Sequence, residues 1–359
     1  MKKINSAHFI FLIFGASIVS LKTYPNLIVE FAGRDAWISV SFASVLFVVY
    51  FLYLINICLK SNQFNLVQIY TKALGKILGT FMIILLGLSL VFALVECGSV
   101  EGSSVKNHLL INTPIWYSLF FFFLAAFYSL KFNLNTIVIA CIVGLSFTFI
   151  AGINLAFLTV KYKDLKYMFP MMANGFDKNF LMSIVKALAL YSTIFIAFPY
   201  VDEVTDTKKL KKNSFIAMLI VAQMEIVAMH GLITTFGPER SLTILYPKVI
   251  QTQLVSLFHF LESGEFFVLL QIVGGWYIKY IVTSFSIICL LKNYNIDKKV
   301  LYFATPIIYF ITYYISHDNN LLFNFIGNII VWVYLINFCL IPLIIFTIYF
   351  LKFKYDKLT

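Results

Sequence analysis

Phe9 to Pro25 reads FIFLIFGASIVSLKTYP, and the behaviour of this stretch decides the fold. It is apolar and long enough to begin a membrane span. Yet it carries a small-residue step, Gly15-Ala16-Ser17, and then Lys22 and Pro25. A helix in lipid can release its backbone hydrogen bonds only where protein or a water-lined cavity satisfies them again. A span weakened in this way is a candidate for lining a ligand site. Gly and Ser are also ordinary packing residues between membrane helices, so the stretch alone leaves both readings open.

The surrounding composition sets the class. Of 359 residues, 61% are hydrophobic, 18% aromatic and 12% charged, with a mean hydropathy of +0.91. Soluble domains carry about 25% charged residues, so this is the composition of a polytopic membrane protein. The net charge of +11 does not imply nucleic acid, because the basic residues fall in short loops between apolar runs, the distribution of a topology signal. Lys2 and Lys3 precede the first apolar run without a convincing small-residue cleavage site after it. That run is expected to be a permanent span and not a signal peptide. Cys58, Cys97, Cys141, Cys289 and Cys339 lie far apart without metal spacing, and read as small hydrophobes.

At about 20 apolar residues per crossing, ten spans are expected, at 8–29, 36–59, 77–96, 114–131, 135–160, 180–201, 214–236, 266–291, 300–316 and 321–351. The tenth is long enough to tilt or to lie partly in the interface. Phe64, Val67, Tyr70 and Leu74, and then Ile250, Leu254, Leu257, Phe258 and Leu261, recur at helical spacing and read as interfacial helices. With a cytoplasmic N-terminus, inside segments hold 16 basic residues against 8 outside. Both termini are therefore expected in the cytoplasm, although the 161–178 loop runs against the trend. The longest loops, 97–113, 161–179 and 237–265, are too short for a soluble domain, so 1–359 reads as a single transmembrane domain. A faint repeat divides it into 1–160 and 161–359. Ser17 to Pro25 and Tyr191 to Pro199 both place small or hydroxyl residues about eight positions before an aromatic–proline pair. Five spans per half would give the two copies inverted topology, with interrupted segments meeting at a central site.

Ionisable groups within spans are costly and usually have a partner or a function. Lys22, Lys186, Glu225 and Lys279 are such groups, with Glu96 expected at a span end. Lys186 is near enough to the outer end of its span to snorkel. Glu225 and Lys279 both fall near the midplane. Either they pair, or Lys279 supplies a fixed positive charge in a central cavity. Lys22 and Glu96 lie toward the outer side and suggest a gate-like pair. His230 reads as a packed histidine, and Phe120 to Phe123 as a lipid-facing or core aromatic run. Glu262 and Glu265 read as the polar entry to the eighth span, since no nucleophile, phosphate loop or His cluster accompanies them. Neither catalysis nor a cofactor nor a metal is expected.

Several motifs, in order along the chain, carry a family resemblance. They are the opening small-residue span, Gly33-Arg34-Asp35-Ala36-Trp37-Ile38-Ser39, Leu74-Gly75-Lys76-Ile77-Leu78-Gly79, Asn112-Thr113-Pro114, Phe198-Pro199 with the basic loop after it, Glu262 to Glu265, and Val273-Gly274-Gly275-Trp276-Tyr277-Ile278-Lys279. Over essentially its whole length the chain resembles the B subunits of bacterial spore germinant receptors. These form the spore germination permease family, within the amino acid–polyamine–organocation transporter superfamily. The resemblance implies an all-α, ten-helix membrane protein built as a five-plus-five inverted repeat with broken first and sixth helices. It implies a subunit of the spore inner membrane that senses a small germinant, often an amino acid. Its implied partners are a receptor A subunit, a lipoprotein C subunit and the lipid bilayer, with no nucleic acid. Carried onto this chain, the ligand site comprises Gly15, Ala16 and Ser17, then Tyr191, Ser192, Thr193 and Phe195, then Lys279 and Thr283. Lys279 would stand where sodium-coupled relatives hold a cation, and its ammonium could hydrogen-bond freed carbonyls of the broken first helix. Backbone N–H groups at the break could hold a carboxylate. The chain departs from the family pattern at Thr193, where many relatives carry an acidic residue, and at Leu21-Lys22, where a Leu-Pro pair is common. The alternative function is a secondary active amino acid or amine transporter, coupled to protons through Lys279 or Glu225. A structural subunit with a vestigial cavity is the third reading.

Overall fold

The computed structural model describes residues 4–173, 175–255 and 265–356, with only the backbone given for Glu265, Phe266, Val268 and Leu269. Among the described residues the protein is almost wholly helical, and its one extended contact is an isolated parallel bridge between Ile4 and Val204. Eight helical stretches among the described residues are long and apolar enough to cross a membrane. Lipid-facing stripes confirm the class. On α8 (Leu134–Leu158), Ile139, Val143, Phe147 and Ile150 are exposed while Val138, Cys141, Leu145 and Thr148 are buried. Such a three-to-four-residue alternation marks one wet-excluded face and one packed face.

The opening stretch does break. α1 (Ser6–Ser17) stops at Ile18, and a separate turn, α2 (Ser20–Thr23), follows before Tyr24-Pro25 redirects the chain into α3 (Asn26–Ala32). The first apolar run is thus shorter than the expected 8–29, because Pro25 cannot continue the helical ladder. Side chains take over backbone partners around the break: Ser17 Oγ donates to Ile13 O at 2.8 Å and Thr23 Oγ1 to Val19 O at 2.5 Å. Gly275 makes room for it. A Cβ there would collide with Val19 Cγ1, so only glycine lets the two segments approach this closely.

α4 (Ala36–Ser61) and the short amphipathic α5 (Leu66–Leu74) follow expectation, α5 capped by Asn65, whose side chain accepts from Gln68 N. α6 (Lys76–His108) does not. The region 97–113, expected as a loop, stays helical to His108. Small residues allow it: a Cβ on Gly98 would meet Thr312 Cγ2 at 2.8 Å, and one on Gly102 would meet Leu119 Cδ2 at 2.7 Å. Polar small residues here are packing surface, which hydropathy reads as loop. α7 (Ile115–Ser129) and α8 complete the first half.

The second interrupted segment starts as α9 (Lys178–Tyr191), N-capped by Asp177, and continues as a 12-residue 3₁₀ helix, Ser192–Glu203. Runs of 3₁₀ beyond three or four residues are uncommon. Here Ser192 Oγ donates to Ala189 O at 2.6 Å and Thr193 Oγ1 to Leu190 O at 2.8 Å, competing with the α ladder, and Pro199 removes a donor further on. α10 (Thr207–Thr243) bends at Gly237 (φ 73°) before Pro238. α11 (Pro247–Gln253) is the described part of the expected interfacial helix; Leu257, Phe258 and Leu261 lie outside the described residues, as does Glu262. α12 (Glu265–Lys292), α13 (Lys299–Ser316) and a last helix from α14 (Asn319–Phe325) through α15 (Val331–Tyr334) to α16 (Ile341–Asp356), with π turns at 326–330 and 335–340, close the chain. α1, the 3₁₀ segment and α12 pack against one another, and α12 also packs on α6 and α8.

Candidate functional site

The structure redistributes the buried charges. Lys279 on α12 is fully buried and donates to Glu96 Oε2 at 2.5 Å and to Ser20 Oγ at 2.6 Å. Glu96 also accepts from the hydroxyls of Tyr24 and, at 2.6 Å, Tyr334. The Lys279 ammonium lies 4.8 Å from the Trp276 ring centroid and 5.6 Å from that of Tyr334. Every element of the lock is thus tied to the break: α2 through Ser20, the turn after it through Tyr24, α6 through Glu96, and α15 through Tyr334. A buried pair survives only when such extra hydrogen bonds satisfy both ions.

The expected pairings are therefore exchanged. Lys279 does not pair with Glu225, nor Lys22 with Glu96. Glu96 is unavailable to Lys22 because α6 runs on to His108, which leaves Glu96 inside a helix and facing α12 instead of at a span end. Lys279 does reach the broken helix, through the Ser20 hydroxyl and not through freed carbonyls. Lys186 reaches outward, its ammonium 3.7 Å from Glu30 Oε2 and 4.3 Å from the Phe31 ring centroid, which is snorkelling with a partner at its end. His230 packs edge-on against Trp37, centroids 6.2 Å apart.

Gly15, Ala16 and Ser17 lie buried at the end of α1, with Gly15 against Ile278 and Val282 of α12. Tyr191, Ser192, Thr193 and Phe195 are also buried, at the start of the 3₁₀ segment that packs on α1. The two interrupted segments thus share one core. Their polar groups, however, are largely spent on the backbone: Ser192 and Thr193 as above, and Thr283 Oγ1 on Lys279 O at 2.7 Å. The Tyr191 ring stacks on Phe47 at 6.2 Å, and Phe195 on Phe198 at 5.0 Å. The region is closed and packed in this conformation.

Open space lies elsewhere. A cavity of about 240 Å³ opens between α2, α8, α10, α11 and the start of α12. Lys22, Lys163 and Lys248 line it together with Gln251, Gln271 and an apolar wall that includes Phe149, Ile153 and Met224. Lys248 Nζ donates to Gln251 Oε1 at 2.8 Å, and Gln251 is fixed in turn through Thr235 Oγ1 at 2.6 Å and Gly231 O at 3.0 Å. Lys163 is brought in by the Asp164 N–H, which donates to Thr234 O at 2.7 Å. Burial pushes the Lys248 ammonium down to about 7; Lys163 and Lys22 push the same way and Glu225 opposes them. Burial also lowers Lys163. Glu225, 1% exposed, sits behind the cavity wall within electrostatic reach of Lys22, and neither of its oxygens has a hydrogen-bond partner among the described residues.

Reading the sequence missed Ser20, Tyr24, Trp276 and Tyr334 in the lock, since hydroxyls and rings in apolar runs give no signal until a charge is seen beside them. It also missed Lys163 and Lys248 in the cavity. One trace existed: the 161–178 loop carries more positive charge than the expected topology allows on its side, and Lys163 is part of that excess.

The chain is 22% identical over 264 residues to spore germination protein XB of Bacillus anthracis, covering 73% of each chain. A family profile described as spore germination protein matches residues 3–321. With residues 3–321 matched, nearly its whole length, the chain belongs to the spore germination protein family.

Proposed function

We propose that this protein is the germinant-sensing membrane subunit of a spore germination receptor and has no enzymatic activity. It binds a small molecule, with an amino acid as the leading class, where the two interrupted segments meet, and a change at that point triggers germination. The single observation that carries this reading is that α1–α2 and the α9–3₁₀ segment, both broken, pack on each other and on α12 beside a buried ion pair. Interrupted helices of this kind line substrate sites in transporter folds. The arrangement is consistent with ten spans in a five-plus-five inverted repeat (1–160 and 161–359), α7 and α13 being the two shorter crossings. Both termini then face the cytoplasm, and the membrane is the spore inner membrane. An A subunit and a lipoprotein C subunit complete the receptor. Because the site is closed here, ligand entry requires the Lys279–Glu96 lock to move, which gives a two-state element for the ligand to bias.

The test replaces Ala16 or Ser17 with Phe in a spore former that depends on this gene. A germination assay against an amino acid panel should show a lost or strongly right-shifted response with the protein still in the membrane. Unchanged dose–response curves would remove the site assignment. Concentrative uptake of labelled amino acid by the chain alone in proteoliposomes would favour the transporter reading.

A further inference from the structure

The cavity beside α2 has a chemistry different from that of the closed core. Three lysines from three separate parts of the chain, Lys22, Lys163 and Lys248, line one space of about 240 Å³. Among the described residues none of them has a carboxylate within ion-pairing distance. Lys163 Cε and Lys248 Nζ would both lie 3.7 Å from a Cβ on Gly231, so these two side chains converge on one point and repel each other there. The Gln271 side-chain amide N–H₂, also on the wall, has no hydrogen-bond partner. Opposite these donors the wall is apolar, with Phe149, Ile153 and Met224. Glu225 offsets one positive charge from behind the wall but does not line the space. The result is a half-apolar cavity with an excess of converging cations and a spare donor, which is an anion site by its electrostatics.

We propose that this vestibule binds a small monoanionic organic acid, its carboxylate between Lys163 and Lys248 and its aliphatic part along Phe149, Ile153 and Met224. A zwitterion would bring an ammonium into a space already over-supplied with positive charge, so the site selects against amino acids of the same shape. The inference rests on the vestibule alone and does not depend on the site at the broken helices.

The test compares three probes that share an isobutyl group and differ in their charged end, isovalerate, leucine and isoamylamine, binding to the purified full chain in phosphatidylcholine nanodiscs, by calorimetry. Isovalerate should bind at least tenfold more tightly than leucine, and isoamylamine should not bind. Lys163→Gln and Lys248→Gln should each weaken isovalerate at least tenfold, whereas Lys163→Arg, which keeps the charge, should retain binding and shows that a loss is not misfolding. Leucine equal to or tighter than isovalerate overturns the proposal. So does isovalerate binding that survives both glutamine variants but is lost in Ala16→Phe, which would locate the acid at the broken helices. Repeating the titration in phosphatidylglycerol nanodiscs separates sources of the anion: unchanged affinity supports a soluble acid, and binding abolished there assigns the site to a lipid headgroup and overturns it.

Discussion

The core around Lys279 and the vestibule around Lys248 handle buried charge in opposite ways, though the same four-residue helix serves both. Ser20 of α2 accepts from Lys279, while Lys22, two residues on, lines the vestibule. Residues two apart on a helix point to different faces, so α2 separates the two regions and touches each. In the core, one carboxylate accepts from one ammonium and two phenols, so both ions are hydrogen-bonded, and only the Trp276 indole N–H beside them lacks a partner among the described residues. In the vestibule three lysines stand against one carboxyl group that has no hydrogen bond among the described residues. The difference teaches what each region is built to do. A satisfied cluster holds a conformation, and an unsatisfied one has capacity for something that is not part of the chain.

The comparison breaks most visibly at Lys279. Lys279→Met should destabilise the protein by about 3–5 kcal/mol, because it strands Glu96 in the core. Thermal unfolding in detergent checks this, and combining it with Glu96→Gln should recover a large part of the loss. A Lys279→Met protein as stable as the parent would mean that the lock is not structural. Gly275→Val comes next. Its side chain would collide with Val19 at the break, and overpacking of this kind costs about 1–3 kcal/mol; the same melting experiment reads it, with a shifted germinant response expected alongside.

Glu225→Gln sharpens the contrast from the other side. Replacing an unpartnered buried carboxylate by a neutral amide removes a desolvation cost, so stability should stay within about 1 kcal/mol of the parent. Glu96→Gln, by the same assay, should fall well below it. Equal losses at the two positions would erase the distinction between the regions.

The smallest effect is on pH. Lys248 lies near 7 in the free protein because of burial and of Lys163 and Lys22, against Glu225, with His230 also nearby on α10. A bound carboxylate favours its charged form, so acid binding takes up a proton above pH 7. Isovalerate affinity should be full below about pH 7 and decline as pH rises past it, with Lys248→Gln flattening the profile. A profile that rises with pH would show that Lys248 does not face the anion.

Much of the scaffold is legible in the sequence. Hydropathy located nearly all the helices, and the Gly15-Ala16-Ser17 step with Pro25 marked the break, because these residues act through local backbone chemistry. The repeat between Ser17–Pro25 and Tyr191–Pro199 found two interrupted segments, although one is a turn and the other a long 3₁₀ run. Where expectation failed, it failed on packing. Cys97 to His108 reads as a loop by composition yet is helix, since Gly98 and Gly102 fit against Leu119, Phe123 and Thr312.

The sequence by itself determined that this is a many-helix membrane protein with a weakened first span and a few intramembrane charges. Composition, periodicity and proline placement are properties of short windows, and short windows suffice for them. Only the tertiary structure decided which charge meets which. Lys279 and Glu96 are 183 residues apart, and Lys22, Lys163 and Lys248 come from three separate segments. Pairing at such separations depends on the rotation of each helix about its axis, and the dense packing of α12 against α1, α6 and α8 sets those rotations.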